Sequence, residues 1–301
     1  VACLWDEQTD LEVGGYLVVD NLAMGRPSMG GIRMLPDLTP AAIFNLARGM
    51  TLKNAAANLP YGGGKAGIIS SQVDPAMHTE IVRRFARLIF RYRDIYLPGP
   101  DVGTNDADMR TIAIENGLDN ALSKPVEMGG NRIDQLGAAG GGLIIALEAL
   151  IKELPRLKVL PQFHSLVIPD WDQLTVMIQG FGAVGAQAAK HLLQRIPQVR
   201  VVGISDISGY LYDQSGLPLT DLFERWQTQG IVVRPYYQSQ LANSPIGSLR
   251  TKYSNTPDDL LRESAFCLIP AAPIATYLSV DDAHNPTMTI DKMGKWGIII
   301  E

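Results

Sequence analysis

Two short stretches combine a reactive side chain with glycine. In Pro60-Tyr61-Gly62-Gly63-Gly64-Lys65-Ala66-Gly67, glycines on both sides hold a lysine where backbone and ligand can come close. A phosphate-binding loop ending in Gly-Lys-Ser/Thr is a competing reading, but Ala66 stands where the magnesium-binding hydroxyl would be. A flexible loop carrying a solvated lysine also fits these residues. In Gly99-Pro100-Asp101-Val102-Gly103-Thr104 a carboxylate sits in a rigid turn, where it serves acid–base chemistry or simply caps the turn. A third stretch, Gly180-Phe181-Gly182-Ala183-Val184-Gly185, has the spacing of a dinucleotide-binding turn.

That third pattern is weak alone and gains weight from its context. The apolar run at residues 174–178 reads as a buried strand before it, and residues 186–195 read as a helix after it. The first glycine permits the turn, the second admits a pyrophosphate to the backbone, and the third lets helix and strand pack closely. The helix N-terminus offers N–H groups and a favourable dipole to the phosphates. A second strand at residues 199–205 leads to Asp206, whose carboxylate can hydrogen-bond ribose hydroxyls and would repel a 2′-phosphate, favouring NAD over NADP.

The elements that must position these groups are partly readable. Residues 15–20 read as a strand, followed by turn-rich sequence over residues 25–31. Thr39-Pro40 opens a helix, with Ile43, Leu46, Ala47, Met50 and Asn54 on one face. Asp74-Pro75 opens a second helix, with Ile81, Phe85, Leu88 and Ile89 on one side and Arg83, Arg84, Arg87 and Arg91 forming a solvated or intersubunit stripe. Residues 96–100 read as a short connection, and Asp106 or Asp108 as the cap of a third helix reaching about Asn116. Gly140-Gly141-Gly142 leads into a helix at residues 143–154, and residues 155–172 read as a loop or insertion.

Bulk properties limit the function classes. The 301 residues, 46% hydrophobic and 19% charged, allow two globular domains. We expect them at residues 1–137 and 138–301, a mixed-sheet domain and then a Rossmann domain in an α/β fold. A net charge of -5 argues against a nucleic-acid partner. No apolar run reaches the roughly 18 residues of a membrane span; residues 142–151 and 297–300 are too short. Cys3 and Cys267 suggest neither disulfide nor metal, and no leader pattern is visible, so a reducing cytoplasm is expected. His78, His164, His191 and His284 lack metal-ligand spacing and are expected on the surface or in loops. The chain starts at Val1 and stops just after a strand-like run, so both ends are expected to continue in the native protein.

Gly30-Gly31-Ile32-Arg33, Met50-Thr51-Leu52-Lys53, residues 59–67 and residues 98–104 occur in an order and approximate spacing that resemble those of the glutamate/leucine/phenylalanine/valine dehydrogenase family. The fingerprint at residues 180–185 and Leu268-Ile269-Pro270-Ala271-Ala272 also fall where the family has them. The resemblance implies NAD- or NADP-dependent oxidation of an L-amino acid to a 2-oxo acid and ammonia, by a homo-oligomer. It implies that Lys65 is the catalytic lysine, Asp101 the catalytic acid/base, and Lys53 the group holding the substrate carboxylate. Met29 and Gly30 would line the substrate, and Ala271 would join residues 180–185 and Asp206 at the cofactor.

Glutamate-specific members of that family generally carry a lysine where this chain has Met29, so the implied side chain is apolar. Tyr61 and Gly99-Pro100-Asp101 instead resemble the glutamate branch, and Arg26 or Arg33 would then replace the missing cation. Gln135-Leu136-Gly137 stands where the family often has Ala-Thr-Gly, and Pro273-Ile274-Ala275 where it usually has an asparagine. These departures open a third reading, a catalytically idle dinucleotide-binding sensor or regulatory subunit. Retention of Lys53, Lys65 and Asp101 speaks against it.

Overall fold

The computed structural model describes residues 1–70, 74–131, 136–243, 250–272, 278–283 and 286–300. The chain divides into two compact units, Val1–Arg132 and Ile133–Glu301.

The first unit is built on a mixed five-stranded sheet. Its strands are β1 (Ala2–Trp5), β2 (Gly14–Val19), β3 (Ser28–Leu35), β4 (Gly64–Ile69) and β5 (Tyr96–Pro100), in the order β1-β2-β4-β3-β5. β3 runs parallel to both β4 and β5, while β2 is antiparallel to β1 and β4. Helices α1 (Pro40–Ala56) and α2 (Pro75–Ile89) begin where the sequence indicated, with Thr39 accepting from the Ala42 N–H and Asp74 from those of Ala76 and Met77. Helix α3 (Asp106–Asn116) is capped by Asn105 rather than by an aspartate; Asp108 closes a reciprocal capping box. Ile32, Ile68, Phe85, Tyr96, Met109 and Ile112 are buried together, each apolar side chain contributing about 1.5–3 kcal/mol by leaving water.

Two stretches expected as turns are strands. Residues 28–31 belong to β3, and the glycines there serve close approach: a Cβ on Gly30 would lie 1.7 Å from the Gly64 carbonyl oxygen. Residues 96–100 form β5, a sheet edge, the place where prolines are tolerated because the missing N–H need not pair. Three arginines of the stripe are paired within the unit, Arg83 with Glu80, Arg84 with Asp6 and Glu80, and Arg87 with Glu115, while Arg91 lies beyond α2 and is exposed. His78, expected at the surface, is half-buried with Nε2 2.9 Å from the Asp108 carboxylate.

The second unit carries a six-stranded sheet of β6 (Thr175–Gln179), β7 (Arg200–Asp206), β8 (Gly209–Tyr212), β9 (Lys252–Ser254), β10 (Cys267–Pro270) and a last strand (Ile298–Ile299). Between these last two, β11 (Leu278–Ser279) and β12 (Met288–Thr289) pair separately, so Ile298–Ile299 is β13. The order is β13-β10-β6-β7-β8-β9, with β13, β10, β6 and β7 parallel and β8 and β9 antiparallel. From β6 the chain moves to one side through β7 and later returns on the other as β10. That reversal creates a ligand crevice at the carboxyl ends of the strands. Its helices are α4 (Ala138–Leu157), α5 (Ala183–Arg195), α6 (Leu219–Gln229) and α7 (Val233–Asn243).

Helix α4 is longer than the sequence indicated. Gly140 and Gly141 lie inside the helix against α5: a Cβ on Gly140 would stand 2.5 Å from the Ala188 backbone nitrogen. Pro155 falls in its last turn, so the supposed loop begins only after Leu157. Helix α5 starts inside the glycine fingerprint, at Ala183. His191 on α5 is also half-buried, its Nε2 3.2 Å from the Leu136 carbonyl oxygen. No helix among the described residues is long and apolar enough to cross a membrane. Gln135, residues 273–275 and His284 lie outside the described residues.

Candidate active site

Lys65 and Asp101 arrive from neighbouring parts of one sheet. Lys65 is the second residue of β4, and Asp101 follows the last residue of β5, with β3 between the two strands. Lys65 Nζ lies 2.9 Å from Asp101 Oδ2, and Arg33 Nε, from β3, donates to the same oxygen at 2.7 Å. Lys65 is 5% exposed. Its burial lowers the ammonium pKa below the ordinary 10.5; Asp101 partly offsets this, while Arg33 and Lys53 reinforce it. Burial alone would raise the Asp101 carboxyl, but the charges and hydrogen bonds of Lys65 and Arg33 prevail and hold it below its usual range. A lysine eased toward its neutral amine and a carboxylate kept ionised form a proton-transfer pair.

The turn bearing Asp101 is fixed by Thr104. Its hydroxyl accepts from the Asp101 N–H at 2.9 Å and donates to the Ile32 carbonyl at 2.7 Å. The buried Tyr96 hydroxyl donates to the Gly30 carbonyl at 2.8 Å and so supports β3 from below.

The glycines before Lys65 are tied to α1 by residues the sequence reading did not single out as positioning groups. Thr51 Oγ1 donates to Asp20 Oδ2 at 2.5 Å and accepts from the Gly63 N–H at 3.1 Å. Asn54 Nδ2 donates to the Gly62 carbonyl at 2.9 Å. Both side chains are buried and continue the row Ile43, Ala47, Thr51, Asn54. Polar residues at core positions of a helical repeat were the available clue. Thr51→Val keeps shape but strands the Gly63 N–H and removes the Asp20 bond. We expect urea denaturation to show a loss of about 1–3 kcal/mol.

Lys53 is exposed near the end of α1, close enough for its charge to depress Lys65. Met29 is half-buried on β3, paired with Leu97 of β5, and its N–H donates to the Gly62 carbonyl. Beside it, Met50 Cγ would be 3.1 Å from a Cβ on Gly30. Arg33, named above as a possible substrate cation, is instead committed to Asp101.

In the second unit, residues 180–185 fit a dinucleotide. Gly180 has φ +91°, and a Cβ there would lie 2.6 Å from the Ala272 backbone nitrogen. A Cβ on Gly182 would meet nothing within 4 Å, leaving open space against the backbone at the start of α5. Gly182 is the N-cap and provides no side chain to the first helical amides, which begin with Ala183 and Val184. Gly185 packs so closely that a Cβ would reach within 2.0 Å of the Gly180 carbonyl oxygen. Phe181 is a core side chain; only its backbone belongs to the turn, donating to the Ser205 carbonyl at 2.5 Å. Ser205 also accepts from the Gly180 N–H at 3.1 Å, a positioning contact the sequence reading missed. The Ala271 N–H donates to the Gln179 carbonyl at 2.7 Å, which places Ala271 at the carboxyl end of β10 beside the turn. Asp206 ends β7, but its carboxylate is taken up by nearby N–H and O–H groups.

Comparison with known proteins agrees with this arrangement. Residues 5–116 match the model for the Glu/Leu/Phe/Val dehydrogenase dimerisation domain, and residues 129–290 match the Glutamate/Leucine/Phenylalanine/Valine dehydrogenase model. The NADP-specific glutamate dehydrogenase of Saccharolobus shibatae is 32% identical over 272 residues, 86% of this chain and 56% of that protein. The NAD-specific glutamate dehydrogenase of Staphylococcus aureus is 31% identical over 293 residues, 93% of this chain and 62% of that protein. Among solved structures, the hetero-hexameric glutamate dehydrogenase of Thermus thermophilus in its leucine-bound form superposes with a TM-score of 0.68. It is 26% identical, covering 95% of this chain and 63% of that one. This chain thus spans less than two thirds of the length of these relatives. With both of its units matched in sequence order, the chain belongs to the Glu/Leu/Phe/Val dehydrogenase family.

Proposed function

We propose that the chain is an amino acid dehydrogenase that reversibly oxidises an L-amino acid with an apolar side chain to the 2-oxo acid and ammonia. The observation that carries this is the pair of buried Lys65 and half-buried Asp101, with Arg33 on the same carboxylate oxygen. Lys53 holds the substrate carboxylate, and Met29 and Gly30 line the side chain. Asp101 takes a proton from the substrate ammonium, leaving a free amine. Neutral Lys65 then activates the water that attacks the imine carbon, and its protonated form stabilises the resulting carbinolamine until ammonia leaves. The nicotinamide cofactor, NAD or NADP, supplies the hydride acceptor when bound at residues 180–185 and Ala271.

Glutamate is the second reading for the substrate, favoured by the names of the matched relatives. Against it stand Met29, which offers no charge to a side-chain carboxylate, and the commitment of Arg33 to Asp101. We further propose that the protein works as a homo-oligomer in the cytoplasm, with small molecules as its substrates.

The pH profile of amino acid oxidation tests the assignment. Turnover requires neutral Lys65 and ionised Asp101, so the rate rises with pH and levels off below the ordinary lysine pKa of 10.5. Arg33 lowers both groups, so Arg33→Gln raises both and moves the acid limb to higher pH. An unmoved limb in an active Arg33→Gln enzyme counts against the pair as the titrating centre.

A further inference from the structure

The turn at residues 180–185 lies beyond the carboxyl end of β6. A separate cleft opens at the other end of the same sheet. The chain leaving β8 turns back onto the start of β7: the Asp213 N–H donates to the Val202 carbonyl at 2.8 Å, and the Leu217 N–H to the Val201 carbonyl at 2.8 Å. This turn, β9 and the short helical stretch Pro257–Arg262 enclose about 630 Å³. The charged and aromatic lining is Tyr212, Asp213, Arg250, Lys252, Arg262 and Glu263.

The two acids of this lining have spent their oxygens on internal donors. Glu263 Oε1 accepts from the Tyr210 hydroxyl and from Lys252 Nζ, each at 3.1 Å, and Oε2 accepts from Lys252 Nζ at 3.0 Å. Asp213 Oδ1 accepts from the Ser215 N–H at 2.9 Å and the Ser215 hydroxyl at 2.5 Å, and Oδ2 from the Thr251 hydroxyl at 3.3 Å. The cations are not consumed in the same way. Arg262 uses Nε on Asp259 at 3.1 Å, and its two terminal nitrogens have no partner among the described residues. Arg250 is exposed and has no ion-pair partner among the described residues. Behind the turn, Arg200 Nη1 donates to the Gln214 carbonyl at 3.4 Å, while its buried Nε has no hydrogen-bond partner. Four cations, with Lys252 the fourth, thus face the acids Asp213, Asp259 and Glu263, and what the cleft has to offer is N–H donors.

We propose that this cleft binds a small multivalent oxyanion, a polyphosphate or a polycarboxylate, with Arg250 and Arg262 as its principal ligands. A guanidinium meets such a group through paired N–H donors, and both arginines keep them available. Lys252, held over the Tyr212 ring at 5.3 Å from its centroid, adds charge at the rim.

Calorimetric titration of the whole chain with tripolyphosphate and with citrate, NADH being present to fill the turn at residues 180–185, tests the site without relying on turnover. We expect at least one of the two anions to bind, with an affinity that falls as NaCl is raised. Which one binds tells a phosphate source from a carboxylate source. Arg250→Gln combined with Arg262→Gln should weaken that binding about tenfold and leave Tm and NADH affinity in place, because both side chains are exposed. A weakening of less than threefold overturns the inference, and so does a wild type that binds neither anion. If the double variant melts early, Arg250→Gln alone decides on the same threefold limit, since that side chain has no ion pair to lose. Failure of NADH to bind counts against the dinucleotide reading of residues 180–185 only, and the arginine variants still separate the cleft from that turn.

Discussion

Lys65→Ala is expected to lower kcat for amino acid oxidation by about a thousandfold, within the 10²–10⁴ range of a positioned acid–base group. Stopped assays on wild type and variant, each normalised to folded protein, provide the check. The fold should survive because Asp101 keeps its bond to Arg33 when the lysine is removed. The sign of the linkage supports this. Lys65 has a lowered pKa in the folded state, so holding it charged costs stability below that pKa, and the cost disappears above its unfolded value. Truncating it at neutral pH thus relieves a buried cation. Asp101 has the opposite sign: its depressed pKa contributes stability above the unfolded carboxylate range, lost as pH falls through the folded value. A variant that stays folded and loses turnover isolates the chemical role of Lys65. Retention of a tenth or more of wild-type kcat would remove Lys65 from the catalytic step.

Met29→Lys is the second large effect. We expect it to raise the ratio of kcat/KM for glutamate over that for leucine by about a hundredfold, about 2.7 kcal/mol in transition-state discrimination. The reason is electrostatic. A substrate carboxylate set against a methionine loses water without gaining a partner, while a lysine at the same half-buried strand position restores one. An apolar side chain instead loses the contacts that methionine gave it. Kinetics on both amino acids for wild type and variant check the prediction, and an unchanged ratio would place the side-chain pocket away from Met29.

How far the sequence revealed this depends on the physics at each position. Caps such as Thr39 and Asp74 act within three residues, so they were readable locally and both cap their helices. The strand–turn–helix around residues 180–185 was readable for the same reason, apart from three residues at the start of α5. Strand β5 was not, because its prolines and glycine look like a turn until the parallel pairing with β3 is known. Gly140 read as a lead-in to the helix rather than part of it, because the close approach of α5 that calls for a glycine there is not written in the local sequence. Within the site, residue types marked Lys65 and Asp101, but no local rule joins residues 36 positions apart. Their shared oxygen partner, Arg33, was read as a possible substrate ligand, since only the folded sheet shows which anion it meets. Thr51 and Asn54 were hidden for a related reason: each bonds a backbone atom of the glycine loop, which a residue list does not display.

The most direct measurement is the absorbance of reduced nicotinamide formed by the wild-type chain. It would be incubated with NAD or NADP and, separately, leucine, valine, phenylalanine, tryptophan or glutamate. Reduction that depends on an apolar amino acid and releases ammonia in equal amount is the predicted result. No reduction with any of the five, from a chain that titration shows to bind dinucleotide, would contradict it and leave a folded dinucleotide-binding protein without this chemistry.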